Sequence, residues 1–394
     1  MNGVNLRRFE FDYDATWTAF FTDAKLNVYS RYGGRDQGDP EARLRKPSLL
    51  HTMKQVLAAH EEVRALRAAG KVFPFPAKED DGTKASGNEP SNSQNSPNIK
   101  RELLKGAIPL FQPIPEDIKK PEEMSLLKKG HQGCIHCHQV KEYSFLQAFH
   151  DGRFERELLF TFPYPEALGI EINRHFGHRV ATVRSESPAV NAGFKADDEI
   201  VQIDNVPVRS ELDIRWALHR LPQATTKVTV LVRRSSTRST KPNLPDSPDD
   251  QKSSSKQMPS TIIGLELGLP NRWRESELGW RKSSRSIPVD WGFRAAPMTA
   301  SQRRDAQLPA DGVAIRILSV KPRGIAAILG LQKDDVLVAV DGEKRVRTLE
   351  QVRSDILRRF SPGDEIRLTI RRGEETLELK GKFPPWFTEE TSVP

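Results

Sequence analysis

The sequence predicts an α+β chain of several domains, and three observations predict it. Residues 179–208 recur 137 positions later, from 179 to 316, as residues 316–345. Two stretches without any hydrophobic period, 77–99 and 235–260, break the chain into pieces. The first 75 residues read as strand, turn, strand and helix. Together these give a small βα unit, a short helical segment bearing Cys and His, and two copies of a mixed strand–helix module.

Composition bounds the function. With 394 residues the chain has room for two to three domains, and 37% hydrophobic against 29% charged residues suits soluble modules joined by polar linkers. No run of 18 apolar residues exists, so no membrane span is predicted. Met1 leads directly into "NGVNLRRFEF" without a charged region before an apolar one, so no signal peptide is visible. The net charge of +8 is spread over 61 basic and 53 acidic residues. No Lys/Arg run alternates with aromatics, which argues against nucleic acid as a partner.

From the N-terminus, "FEFDYDATWTAFFTDAKLNVYSRYGGRD" gives a strand, a turn at residues 23–27 and a second strand ending in Gly-Gly. The helix after it carries an apolar stripe of Leu49, Leu50, Met53, Val56 and Leu57. This unit spans residues 1–75. Residues 76–100 are expected to be a disordered linker, because Ser, Pro, Asn, Asp and Lys bury too little apolar surface to offset ordering.

The segment 101–162 holds both cysteines of the chain, in "GCIHCHQV". Cys134-x-x-Cys137-His138 meets the requirement for covalent haem: two thiols one helical turn apart, and a His able to reach iron. Met124, His131 and His150 are then the candidate sixth ligands. Zinc bound by His131, Cys134, Cys137 and His150 is the alternative cofactor reading. A redox thiol pair and plain packing of two thiols also remain open.

Each repeat copy runs strand, Ala-rich short helix ended by Gly193 or Gly330, Asp-Asp turn, strand, amphipathic helix, and a strand closing on two arginines. In the second copy that strand turns straight into "TLELKGKF"; in the first, its partner "TIIGLELGL" follows only after residues 235–260. The stretch is therefore read as an insertion in a hairpin loop, where extra length costs little. The domains are placed at 163–270 and 291–383, with a connector at 271–290 and a tail at 384–394.

"SPAVNAGFKADDEIVQIDNVPV" resembles the SPAxxAGLxxGDxIxxxNGxxV signature of PDZ domains of the permuted bacterial kind attached to HtrA proteases. It departs in having Asp where the signature has the Gly before Asp198 and Asp335. The resemblance implies two partly open β-barrels with capping helices and a carboxylate-binding loop in each. Those loops are Leu168, Gly169 and Ile170 in one copy, and Trp291, Gly292 and Phe293 in the other. Helix residues Ile214 and Leu218, and Val352 and Ile356, would line the grooves in which an extended peptide or protein C-terminus adds to a sheet edge. Core positions explain the same four residues equally well. No Gly-x-Ser-Gly-Gly segment is present, so an HtrA protease is excluded.

"TAFFTDAKLNVYSRYGG" resembles the last hairpin of a thioredoxin fold. With the tandem repeats, the chain is similar to a family of exported thioredoxin-like/PDZ proteins, some of which carry selenocysteine. That likeness implies a periplasmic location, although a chain without a visible signal peptide leaves the cytoplasm open. It also implies a reading frame that begins upstream of Met1, leaving Trp17, Phe20 and Phe21 exposed and the chain prone to self-association. The function expected is a peptide- or protein-binding tandem PDZ protein coupled to a redox or haem site, with a redox protein as a further partner. The alternatives are a thiol–disulfide enzyme whose catalytic motif lies upstream, and a zinc-stabilised scaffold.

Overall fold

A computed structural model describes residues 8–35, 41–70, 110–112, 136–235, 260–287, 292–322, 324–344 and 348–383, with Leu6, Asp39 and Pro385. The expected linker 76–100, the interior of the 235–260 insertion and the tail after Pro385 lie outside the described residues, as do Met124, His131, Cys134 and Trp291.

Strands β1 (Trp17–Thr22) and β2 (Val28–Gly34) form an antiparallel hairpin, Trp17 opposite Gly34. Its turn closes because the Asp23 carboxylate accepts from the backbone N–H of Lys25 (2.9 Å) and Asn27 (3.0 Å). Helix α1 (Lys46–Ala68) follows, with Pro47 in its first turn. The strand–turn–strand–helix order matches expectation, but the buried helix face does not. Ser48, Thr52, Val56, Ala59 and Val63 face inward, whereas Leu50, Met53 and Leu57 are exposed, Leu57 by 59%. The reason is the seam that the helix packs against, which is polar. Tyr32 Oη lies 2.8 Å from Ser48 Oγ, and Thr52 Oγ1 donates to the Arg209 carbonyl at 3.1 Å.

Helix α2 (Cys137–His150) comes next. The first repeat contains β3 (Ile170–Ile172), β4 (Val180–Val183), α3 (Pro188–Asn191), β5 (Glu199–Ile203), β6 (Val206–Pro207), α4 (Glu211–Arg220), β7 (Lys227–Ser235) and β8 (Ser260–Gly268). The second contains β9 (Phe293–Pro297), α5 (Ala300–Asp305), β10 (Ile315–Val320), α6 (Ile325–Ile328), β11 (Val336–Val340), α7 (Leu349–Arg359), β12 (Glu365–Arg372) and β13 (Glu375–Lys382). The first repeat forms sheets β3-β4 and β6-β5-β7-β8, and the second one sheet of order β13-β12-β11-β10-β9. No sheet among the described residues closes into a barrel. Strands β7 and β8 pair from Lys227–Gly268 to Ser235–Ser260, so the insertion joins two strand ends already side by side.

The repeat is built on one shared device. Asp198 and Asp335 are buried, and each receives a two-pronged guanidinium, Arg234 at 2.7 Å and Arg372 at 2.8 and 2.9 Å. The same arginines donate to the carbonyls of Gly193 and Gly330. These are the second arginines of the closing Arg-Arg pairs. The preceding residues, Asp197 (φ 68°) and Asp334 (φ 72°), sit in the left-handed region, which explains why the signature has Gly there.

The N-terminal unit docks on α4 of the first repeat. Asp213, buried on α4, accepts from Ser30 Oγ (2.6 Å), Arg31 N (2.8 Å) and Arg209 N (2.9 Å). Trp216 Nε1 donates to Glu10 Oε2 at 2.8 Å, and the Arg31 guanidinium lies 3.6 Å from the centre of the Trp216 ring. Asp12 holds both Arg215 (2.8 Å) and Arg281 (2.6 Å), and all three are about 1% exposed. The expected aromatic face is reduced accordingly. Trp17 is 47% exposed, but Phe20 is half-buried and meets Phe9 edge-on at 5.2 Å. This docking gives the N-terminal unit a partner within the chain.

Candidate functional site

Two grooves were expected, one per repeat. In the first, the 3-10 turn Pro165–Leu168 ends at Gly169, whose φ of 87° and closeness to Ser187 permit no side chain: an added Cβ would lie 2.2 Å from Ser187 Cβ. In the second, Gly292 (φ 67°) packs on Gly324 in the same way, 2.7 Å from an added Cβ to Gly324 Cα. Ser187 and Gly324 are equivalent positions in the two copies, each the N-cap of the Ala-rich helix.

The expected groove residues are all deeply placed. Leu168, Ile170, Ile214 and Leu218 are at most 2% exposed and share one apolar cluster with Phe162. Val352 and Ile356 belong to the core of the second repeat, and Phe293 packs against it half-buried. The core explanation thus accounts for the four helix residues as the chain stands. Trp291 lies outside the described residues.

The two grooves differ in what covers them. Helix α4 is buried from Glu211 through Leu218, on every side. Phe162 is set against its end: the ring stacks on His219 at 4.6 Å, and its carbonyl accepts from Arg215 at 2.9 and 3.1 Å. Arg43 bridges the turn before β3 to the start of α4, pairing with Glu166 (3.0 Å) and with Glu211. Helix α7 exposes Glu350 and Gln351 in its first turn and buries Val352 and the run Ser354, Asp355, Ile356 and Leu357. Beside it, β9 is the edge of its sheet, with Arg294 and Pro297 exposed. Arg353 lies over the Phe293 ring at 5.6 Å, and its Nε has no hydrogen-bond partner among the described residues. Burial lowers the pKa of this guanidinium.

The Cys/His motif is placed in part. Cys137 is the first residue of α2, where the His136 N–H donates to Gln139 Oε1 at 2.7 Å. His138 Nδ1 is 2.7 Å from Glu142 Oε1. His150 ends the same 14-residue helix, beside Asp151, so it sits roughly 20 Å along the axis from Cys137. The helix therefore does not bring His150 to one ion with Cys137, nor to one iron with His138. His131, Cys134 and Met124 lie outside the described residues. On its inner face α2 packs Phe145 into the second repeat's core and places Lys141 Nζ 2.5 Å from Thr161. Burial, and then the neighbouring Arg281, bring the Lys141 amine down to about 7.

PDZ-domain family models match residues 166–241 and 316–372. The chain carries two PDZ domains. Residues 1–75 fall outside both matches, and with them the thioredoxin likeness. Among solved structures, the chain is similar to the HtrA3 PDZ domain bound to a phage-derived ligand, at 24% identity over 23% of this chain and 80% of that one, with a TM-score of 0.19. It is also similar to the HtrA-type protease AlgW with a decapeptide, at 20% identity over 31% of this chain and 38% of that one, with a TM-score of 0.20. No curated protein matches the chain.

Sequence reading missed the residues that distinguish the domains. Phe162, Arg43 and Asp12 lie outside the repeat, and only their positions in space tie them to the first groove.

Proposed function

We propose that the chain is a peptide-binding protein whose second PDZ domain receives the peptide, while the first is held shut. The observation that carries this reading is the half-exposed edge strand β9 beside α7, whose first turn is solvated at Glu350 and Gln351 where the first turn of α4 is buried. An extended peptide adding to β9 would have its backbone N–H and C=O groups satisfied by the strand. Its terminal carboxylate would meet the loop at Gly292, and an acidic side chain further back would pair with Arg353. The preferred ligand is thus an apolar C-terminus with an acidic residue upstream. Fluorescence anisotropy of labelled peptides with the full chain tests this. Saturable binding should weaken at least about tenfold on amidating the terminus or on Arg353→Glu. Equal binding of amidated and free peptides would overturn it.

A second reading rests on His138. Its Nδ1 faces Glu142, the arrangement that fixes an imidazole so that Nε2 is presented to a metal. We infer from this that Cys134 and Cys137 hold haem c through thioethers with His138 as the axial ligand, in an exported form of the protein. Haem there would supply one-electron transfer. Expression with export and haem-maturation factors should give a covalent haem spectrum that Cys137→Ala abolishes; a colourless product would refute it.

A further inference from the structure

We propose that His51, His178 and Glu199 form a binding site for a borderline divalent metal ion such as zinc, joining the N-terminal unit to the first PDZ domain. The three come from separate elements: His51 from α1, His178 from the loop between β3 and β4, and Glu199 from the start of β5. One donor atom from each lies within 4.8 Å of the others.

The surroundings are arranged as metal sites are. His178 Nδ1 is 3.1 Å from the Phe176 carbonyl, and donation to it leaves Nε2 as the donor atom of the cluster. Glu199 splits its two oxygens, Oε1 2.8 Å from His178 Nε2 and Oε2 held by Arg233 at 2.6 Å. His51 Nε2 is buried without a hydrogen-bond partner among the described residues. Its ring is fixed edge-on to Phe176 at 5.3 Å and stacked on His178 at 5.0 Å. Two imidazoles and one carboxylate, with three ligands and an open fourth position, are a zinc-type set. Arg233 beside the single carboxylate disfavours calcium or magnesium, which require several oxygen donors.

Donors on one zinc stand about 3.3 Å apart, from bonds of about 2.0–2.1 Å. From a spacing within 4.8 Å, His51 must therefore move inward by up to roughly 1.5 Å. An open cleft of about 390 Å³, lined in part by His178, Arg233, Gln55 and Glu62, offers the ion a way in.

The rival occupant is a proton, shared between His178 and Glu199 in a plain ion pair. Cobalt(II) separates the two. The test uses the full chain with Cys134→Ser and Cys137→Ser, so that thiolates cannot take the metal. One equivalent of Co²⁺ should produce the intense visible bands of a four-coordinate ion, and Zn²⁺ should displace it. His51→Ala should weaken uptake by at least about 100-fold, beyond the 10–100-fold that loss of an outer-shell partner costs. His51→Gln, with unchanged far-UV circular dichroism, should do the same, which guards against misfolding. No stoichiometric uptake by the parent, or uptake by both His51 variants as tight as the parent's, overturns the site.

Discussion

The two PDZ domains share one backbone plan and differ in what lies on them. In both, a buried aspartate and an arginine from the closing strand hold the same turn, at Asp198–Arg234 and Asp335–Arg372. Yet α4 is buried from its first turn, whereas α7 exposes Glu350 and Gln351 there and is buried from Ser354 to Leu357. Phe162 fills space beside α4, while its near neighbours Leu159 and Phe160 enter the core of the other domain. One short segment, residues 159–162, thus braces both modules. The difference teaches that a fold signature fixes the module, and the sequences outside the signature fix what packs against it.

The largest effect on this comparison should come from Asp12→Ala. It leaves Arg215 and Arg281 buried without their shared carboxylate, and removing one partner of such a pair costs about 3–5 kcal/mol. Urea unfolding followed through the buried Trp216 should show the loss. An unchanged midpoint would mean that the N-terminal unit does not clamp the first domain.

Phe162→Ala should cost about 3 kcal/mol through the cavity it leaves. It should also break the asymmetry, because the first groove then has space for a peptide side chain. Peptide stoichiometry by titration calorimetry should rise from one towards two; a stoichiometry that stays at one would place the block elsewhere.

Acid should act on the same clamp. Burial pushes the Asp12 carboxyl up, but Arg281 and Arg215 outweigh it, and the group titrates at about 2 against 3.8 in the unfolded chain. Because the folded value is depressed, its stabilisation of about 2 kcal/mol is fully present above pH 4 and is lost as pH falls to 2. Asp12→Asn should remove that part of the acid sensitivity, read as a flatter stability curve between pH 4 and 2.

Deleting residues 236–259 and joining Ser235 to Ser260 through a two-residue Gly-containing turn should change stability by under about 1 kcal/mol, since the strand ends already pair. Thermal unfolding of the shortened chain measures this, and loss of a cooperative transition would assign the insertion a structural part.

Much of the fold was legible in the sequence because its signals are local. The Gly193 and Gly330 helix ends, the Asp-Asp turns and the strand periods all lie within 30 residues of one another, and a repeat shows them twice. The inserted hairpin was readable for the same reason: its two strands match an uninterrupted copy. What stayed hidden was long-range. The α1 stripe was misread because Ser48 and Thr52 are buried by a polar seam that no helical period announces. Asp12 and Arg281 meet across 269 positions, and His51 and Glu199 come from different units. The motif at Cys134–His138 was plain as chemistry, but a motif alone does not place His150, which the helix carries away from it.

The account's central claim is that peptide enters the second PDZ domain and not the first. Amide hydrogen exchange of the full chain, with and without a saturating peptide bearing a free apolar C-terminus, tests it most directly. The account predicts slowed exchange in β9 and α7, with β3 and α4 unchanged. Protection appearing in β3 and α4 while β9 stays unprotected would contradict it.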